Sequence, residues 1–431
     1  MNLLIIGSGG REHALCWKIA QSPLCDKLYC IPGNGGISAQ WECPKLDGSS
    51  FEALAEFARA KNIDFTIVGP EQPLVDGIVN YFDKTGLKIC GPTASAALIE
   101  GDKAFAKELM SSSGVPTARF TIHHNLVYTL ESPHLKKFPA VIKVSGLAAG
   151  KGVFIVDSPR EAENILTEIF ARKKFGDAGS TVVVEECLTG DELSIFAITD
   201  GEDFIILPPS QDHKRIGEGD TGLNTGGMGA CAPAPIGDPD TLGQIEERII
   251  IPTLEAMRRR GTPYRGLLYC GLMITEKGPR VLEFNCRFGD PESQCVLPLI
   301  KPDLLELLLA SAEEGGIARW KRKNPWEVIY TGNEYAACVV LASEGYPGSY
   351  QKGILIAGHD REYQDTIIFH AGTKYEGERF ITSGGRVLGV TGLGKSLKEA
   401  LDRAYSAIES INFQGKYYRR DIGWRALYSN I

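Results

Sequence analysis

The first hundred residues restrict this chain more than any other feature. Short apolar runs at 3–6, 27–31 and 65–68 each end in glycine or proline, and helical stretches at 12–20 and 50–61 separate them. Strands that alternate with helices are joined by right-handed crossovers into a parallel sheet. In such sheets ligands bind at the carboxyl ends of the strands. Gly7-Ser8-Gly9-Gly10, Pro32-Gly33-Asn34-Gly35-Gly36 and Gly69-Pro70-Glu71 are therefore placed where a ligand is expected. Composition sharpens the point, because 49 of the 431 residues are glycine, roughly 11% against about 7% in average usage. They follow no period, so each cluster marks either a turn or a close approach of backbone to ligand.

From residue 102 the pattern changes. A helix at 103–112 precedes strands at 140–143, 152–156 and 182–186 with no long helices between them, which predicts an antiparallel sheet with helices on one side. The glycine-rich segment 217–229 reads as a mobile loop. Runs at 267–275 and 280–285, joined at Lys277-Gly278-Pro279, read as a hairpin. After a polar stretch at 320–325, a strand-rich unit begins near Tyr330 and closes with a helix at 397–408. The expected class is a multidomain α/β and α+β protein, divided into 1–101, 102–122 with 189–325, 123–188, and 326–431.

Charge and patterning exclude several functions. With 46 Lys+Arg against 54 Asp+Glu the net charge is −8, which gives no general attraction to nucleic acid or anionic lipid. The start lacks the basic region of a signal peptide. The nearest approach to a membrane span, 304–312, carries Glu306 and reads as a buried amphipathic helix. The 11 cysteines are odd in number and contain no Cys-x-x-Cys pair, so they read as reduced, mostly buried residues of a cytoplasmic protein.

Several motifs point to phosphate chemistry. Gly7-Ser8-Gly9-Gly10 is not a dinucleotide fingerprint: the third glycine position is Glu12, and the second strand ends without an acid. It reads as a tight turn, or as a site for a phosphate at the helix N-terminus helped by Arg11. Gly146-Leu147-Ala148-Ala149-Gly150-Lys151-Gly152 has three residues between its first two glycines and no Ser or Thr after the lysine, so it is not a P-loop. It reads instead as a hairpin flap whose backbone N–H groups and Lys151 close over phosphates, joined by Lys143 from the preceding strand. Around Glu185, Glu186 and Leu188 the backbone can read an adenine edge, with Glu192 on ribose hydroxyls; a solvated strand edge is the plainer alternative.

In Arg280-Val-Leu-Glu-Phe-Asn-Cys-Arg287, strand alternation puts Glu283, Asn285 and Arg287 on one face, with Leu282 and Phe284 on the other. Two hard oxygen ligands suit Mg²⁺, which takes one or two side chains plus waters and phosphates. No His or Cys accompanies them, which disfavours zinc and iron. Arg287 suits a carboxylate or phosphate. In Gln211-Asp212-His213-Lys214-Arg215, His213 is a candidate general base, without an evident Ser or Cys partner.

Taken together, Gly10-Arg11-Glu12-His13-Ala14-Leu15, Gly33-Asn34-Gly35-Gly36, Val68-Gly69-Pro70-Glu71, the flap, Gln211 to Arg215, Asn224-Thr225-Gly226-Gly227-Met228-Gly229, Glu283-Phe284-Asn285-Cys286-Arg287-Phe288-Gly289-Asp290-Pro291-Glu292, Phe369-His370-Ala371-Gly372-Thr373 and Thr382-Ser383-Gly384-Gly385-Arg386 resemble the glycinamide ribonucleotide synthetase family. The resemblance spans almost the whole chain in order. It implies an ATP-grasp fold, with 123–188 as the lid, and ATP-dependent joining of glycine to 5-phosphoribosylamine in purine synthesis. It implies ATP beside Lys103, Lys143, Gly150, Lys151, Glu185, Glu186, Leu188 and Glu192, and Mg²⁺, with Mn²⁺ as the alternative ion, on Glu283 and Asn285. Lys143, Lys151 and Arg287 would act on the reacting groups. Glycine and the amine are expected among Gly9, Gly10, Asp212, Lys214, Asn224, Arg287 and Asp290. Both Gly9-Gly10 and Ser383-Gly384-Gly385-Arg386 are candidates for the 5-phosphate. Small molecules are the only partners implied, and a monomer is the expected state. Val144-Ser145, Leu223 and Cys231 depart from the family's commonest residues.

Overall fold

The protein is described from a computed structural model that covers residues 1–148 and 150–428; Ala149 of the flap lies outside the described residues. Strands β1 (Asn2–Gly7), β2 (Lys27–Pro32), β3 (Phe65–Val68) and β4 (Ile89–Cys90) form a parallel sheet in the order β2-β1-β3-β4. The chain reverses direction across the sheet between β1 and β3, which is where an open α/β sheet leaves a ligand crevice. Here Glu12 fills it. A Cβ on Gly69 would lie 2.0 Å from Glu12 Oε1, and one on Gly7 would lie 2.4 Å from Glu12 Cγ. Glu12 also accepts from the Gly9 N–H at 2.5 Å, closing the N-terminus of its own helix, Gly10–Ile19. Arg11 is committed as well, with Nε 2.6 Å from Glu12 Oε1 and Nη1 donating to the Phe288 carbonyl.

A second sheet contains β5 (Phe120–His123), β6 (Ala140–Val144), β7 (Val153–Val156) and β8 (Val182–Glu186) in the order β5-β8-β6-β7, antiparallel throughout. The sequence reading expects no long helix among these strands, but Pro159–Phe170 separates β7 from β8. Its start is encoded locally: Ser158 accepts from the Glu161 N–H and Pro159 occupies the first turn. Ala162, Leu166 and Ile169 then bury one face against Ile142, Val144, Val182 and Val184.

The central sheet runs β10-β9-β15-β16, from β9 (Asp191–Thr199), β10 (Phe204–Ile206), β15 (Gly266–Thr275) and β16 (Gly278–Asn285). The β15–β16 register shifts between Gly271, opposite Glu283, and Leu272, opposite Val281. Leu282 is the extra residue of this bulge, and a bulge breaks the alternation of side chains.

The last sheet combines distant parts of the chain. Its order is β11-β14-β17-β21-β18, with β11 (Gln211–Asp212), β14 (Gly229–Ala232), β17 (Tyr335–Ser343), β18 (Thr366–His370) and β21 (Arg386–Gly394); β22 (Lys416–Tyr417) also pairs with β17. Two strands from before residue 325 therefore join this sheet, and one of them, β14, pairs directly with β17 from after it. Helix Leu397–Ser410 covers one face through Leu397, Ala400, Leu401, Ala404, Ala407 and Ile408. The segment 217–229, read from sequence as a mobile loop, contains ordered pairing: β12 (Arg215–Gly217) and β13 (Thr221–Asn224) form an antiparallel hairpin. A second small hairpin joins β19 (Thr373–Glu376) and β20 (Arg379–Thr382).

Helix Leu304–Ser311 is buried on the face that carries Leu304, Leu305, Leu307 and Leu308. Among the described residues no helix is long and apolar enough to cross a membrane. Eight of the eleven cysteines are buried.

Candidate active site

A cavity opens where the β6–β7 hairpin, helix Lys103–Ser113 and β16 meet. Lys103, Lys143, Gly150, Glu283, Asn285 and Arg287 line it, as do Glu71 and Glu100. Leu282 joins them because the bulge turns it to the same side, contrary to the simple alternation expected of the strand. Its carbonyl accepts from Lys143 Nζ at 2.9 Å.

The cations around Glu283 set its charge. Burial raises the carboxyl's pKa, but Lys214, Lys143, Lys103 and Arg287 outweigh that effect and hold it below the usual range. Glu283 is therefore ionised at neutral pH. Asn285 Nδ2 donates to Glu100 Oε1 at 3.0 Å and to the Phe284 carbonyl at 2.9 Å, which leaves its Oδ1 as the side-chain acceptor. A carboxylate and an amide oxygen form a donor set that fits a hard divalent cation. No cluster of three or more His, Cys, Asp or Glu side chains suited to a metal occurs among the described residues.

Lys143 is held from below. Its Nζ is 2.6 Å from Glu185 Oε1, and Lys107 Nζ is 2.6 Å from Glu185 Oε2. Burial raises the Glu185 pKa, yet Lys143 and Lys107 together lower it below the usual range. Lys107 also donates to Thr117 Oγ1, whose hydroxyl donates to the Val281 carbonyl. Glu186 points elsewhere and pairs with Arg119 and Arg280. Leu188 is half-buried just beyond β8, and Glu192 lies 2.9 Å from Lys214 Nζ. Lys151 is exposed at the hairpin tip, outside the cavity lining. The root of the flap is fixed by Ser145: its hydroxyl donates to Asp102 Oδ1 and accepts from the Ala104 N–H. Ser145 thus helps cap the helix that carries Lys103.

Arg287 sits between two acids that were not singled out as site residues from the sequence. Its Nε donates to Glu71 Oε2 at 3.1 Å, and its Nη2 is 3.2 Å from Glu100 Oε1. Glu71 had a signal, since it follows Gly69-Pro70 at the carboxyl end of a parallel strand. Glu100 had none, being an acid inside an apolar helix, Ala94–Gly101.

A second cavity of about 600 Å³ lies next to the first domain. Gly9, Asn34 and Gly35 line one wall, Thr373, Lys374, Ser383 and Arg386 another, and Asp290 and Tyr346 lie between. The two candidate loops for the phosphate, separate in sequence, thus face one cavity. Asp290 is bridged to both: its Oδ2 is 3.3 Å from Arg386 Nη2 and accepts from the Arg11 N–H, while Oδ1 accepts from Gln294. Gly10 is buried against Gln294 and Asp290.

Asp212 is buried on β11, and its Oδ1 makes no hydrogen bond among the described residues. Burial and neighbouring Glu292 push its carboxyl pKa up. Lys214 follows two residues later. His213 between them is not exposed to solvent as a base: Nε2 accepts from the Gly423 N–H at 3.1 Å, and burial lowers its pKa to about 4. Asn224 lies exposed on the outer hairpin strand, outside both cavity linings.

Residues 1–100 match the phosphoribosylglycinamide synthetase N domain, 101–293 its ATP-grasp (A) domain and 336–425 its C domain. The phosphoribosylamine–glycine ligase of Caldanaerobacter subterraneus is 48% identical over 98% of this chain and 99% of its own. The chain belongs to the phosphoribosylglycinamide synthetase family. Among solved structures, the phosphoribosylamine–glycine ligase of Thermotoga maritima superposes with a TM-score of 0.83 at 34% identity, over 98% of this chain and 100% of that one. A biotin carboxylase from Campylobacter jejuni shares the fold, with a TM-score of 0.72 at 15% identity over 97% of this chain and 93% of that one. As a phosphoribosylglycinamide synthetase family member with an ATP-grasp domain, this chain binds ATP.

Proposed function

We propose that this chain joins glycine to 5-phosphoribosylamine at the expense of ATP, giving glycinamide ribonucleotide, ADP and phosphate, an early step of purine biosynthesis. The observation that carries the reading is the convergence of Lys103, Lys143 and Arg287 on Glu283 and Asn285 in one cavity. ATP occupies the cleft under the β6–β7 hairpin, its adenine towards 185–188 and its phosphates towards Lys103, Lys143, Gly150 and Lys151. Glu283 and Asn285 Oδ1 would hold Mg²⁺, or Mn²⁺ in its place, which would supply positive charge to offset that of the phosphates.

The glycine carboxylate, held near Asp212, Lys214 and Arg287, attacks the γ-phosphate to give glycyl phosphate and ADP. The amine then attacks the acyl carbon and phosphate leaves. No protein nucleophile is required, so the chain acts through positioning and electrostatics. Lys143 and Arg287 meet the transferring phosphoryl oxygens. Lys151 reaches them when the hairpin closes. The amine binds in the second cavity, its phosphate towards Lys374 and Ser383, because Arg11 and the Gly9 N–H are already engaged by Glu12. We take a monomer as the working unit, which light scattering in solution checks.

The test is ADP release that depends on both glycine and 5-phosphoribosylamine. It should vanish in Glu283→Ala and fall severely in Arg287→Ala; ordinary turnover in both variants rules out this site.

A further inference from the structure

Arg419 is the largest fully buried side chain among the described residues, and it lies far along the chain from every residue assigned to catalysis. Its guanidinium is satisfied on three sides. Nε and Nη2 donate to the two carboxylate oxygens of Asp421, each at 2.8 Å, while Nη1 donates to Asp220 Oδ1 at 2.9 Å and to the Arg215 carbonyl at 3.0 Å. The last two partners belong to the β12–β13 hairpin.

The same C-terminal segment grips that hairpin elsewhere. The Gly219 N–H donates to Asp421 Oδ2 at 2.7 Å, Arg425 pairs with Asp220 at 2.8 Å, and the Tyr417 hydroxyl donates to the Ile216 carbonyl at 2.8 Å. Behind Arg419, the Tyr405 hydroxyl donates to its carbonyl and accepts from the Ile422 N–H, fixing the segment to helix Leu397–Ser410. One residue further, the Gly423 N–H reaches His213 Nε2. The hairpin itself contributes little burial: every residue of β13 is exposed. Such a ribbon is not stable on its own, so its position is set by the segment that holds its base.

We infer that Arg419 is a positioning residue for glycine: with Asp220, Asp421 and the Gly423–His213 bond, it holds the 212–224 segment so that Asp212 and Lys214 face the acceptor carboxylate's site. This rests on the proposed function. His213 separates the two side chains, is itself bonded through its backbone to Gly229 and Met228, and receives its remaining constraint from the C-terminal segment. Misplacing a binding group by about 1 Å costs up to about a hundredfold in rate, and here the ATP groups on β6, β16 and helix Lys103–Ser113 lie on other elements.

The experiment is steady-state kinetics of the full chain, varying glycine and ATP separately, for Arg419→Met, Arg419→Lys and Tyr417→Phe. The glycine KM should rise about tenfold or more in Arg419→Met and the ATP KM by a clearly smaller factor, since Lys214 also pairs with Glu192 at the edge of the nucleotide site. Arg419→Lys should recover part of the loss, and Tyr417→Phe, which removes one exposed hydrogen bond, should shift the glycine KM the same way by a smaller factor. Amide exchange at 215–224 should accelerate in the variants while the central sheet stays protected. If Arg419→Met does not fold, Tyr417→Phe carries the test alone. An unchanged glycine KM in the folded variants, or equal rises for glycine and ATP, overturns the inference. If the wild-type chain shows no glycine-dependent ADP release, it is the proposed function that fails, and the exchange result still reports whether the segment holds the hairpin.

Discussion

Lys143 and Glu185 meet at 2.6 Å at the base of the nucleotide cleft, and both are almost inaccessible to water. Glu185 is shared: Lys107 takes its other oxygen. The three side chains together carry one net positive charge, which is what a polyphosphate would meet. Replacing Lys107 by Met leaves Lys143 neutralised by its own carboxylate. The ATP KM should then rise about tenfold with a smaller change in kcat, and Lys107→Arg should recover part of it. Initial rates against ATP at saturating glycine measure both.

Asn285 donates to Glu100 and so turns its oxygen towards the cavity. Asn285→Ala removes one of two oxygen ligands and leaves Glu283 in place. Turnover should drop by about a hundredfold at low Mg²⁺ and be partly restored by raising the ion concentration. A Mg²⁺ titration of ADP release in which both proteins saturate alike contradicts the ligand assignment.

Gly150 and Gly227 are both left-handed, with φ of +74° and +107°, but their surroundings differ. A Cβ on Gly150 meets nothing within 4 Å, whereas one on Gly227 would lie 2.3 Å from Pro291 Cδ and 2.8 Å from Asp212 Oδ1. Gly150→Val should cost about 1–2 kcal/mol of backbone strain and lower activity with only a small change in Tm. Gly227→Val should lower Tm substantially as well as activity. Thermal unfolding beside turnover separates the two.

His13 lies between the first domain and the last sheet, with Nδ1 accepting from the His370 N–H at 2.8 Å. Burial lowers its pKa from 6.5 to about 4. The folded state therefore keeps it neutral while the unfolded chain takes up a proton below 6.5. Between about 4 and 6.5 the unfolded state binds more protons, so stability increases with rising pH and is lost on acidification. Above 6.5 this group contributes no slope. His13→Asn, which retains an acceptor, should remove one proton's worth of that dependence, about 1.4 kcal/mol per pH unit at most. Denaturant unfolding across pH 4.5 to 7.5 reads the slope directly.

Much of this was legible from local pattern. Glu12 in place of a third glycine rules out a dinucleotide turn, and the structure shows why: its side chain fills the crevice a dinucleotide would need. The start of the helix at Pro159–Phe170 is written in Ser158-Pro159-Arg160-Glu161 as a cap and first turn. Other features have no local signature. The bulge at Leu282 depends on how β16 registers against β15. The pairing of Arg287 with Glu100, or of Arg419 with Asp220, joins residues nearly two hundred positions apart. Nor could spacing reveal that much of the glycine surplus serves packing between domains, as at Gly36, where a Cβ would strike the His370 ring.

The pairing of β14 with β17 also bears on how the chain is made. During synthesis Gly229–Ala232 emerges about a hundred residues ahead of Tyr335–Ser343, which at about 5–20 residues per second is an interval of roughly 5–20 seconds. Throughout that interval the nascent chain presents a strand of small apolar residues without its neighbour, and an unpaired edge of this kind invites pairing with another chain. The C-terminal hundred residues are thus what ends the nascent protein's exposure to aggregation, and a ribosome that stalls before residue 335 releases a polypeptide with that edge still open.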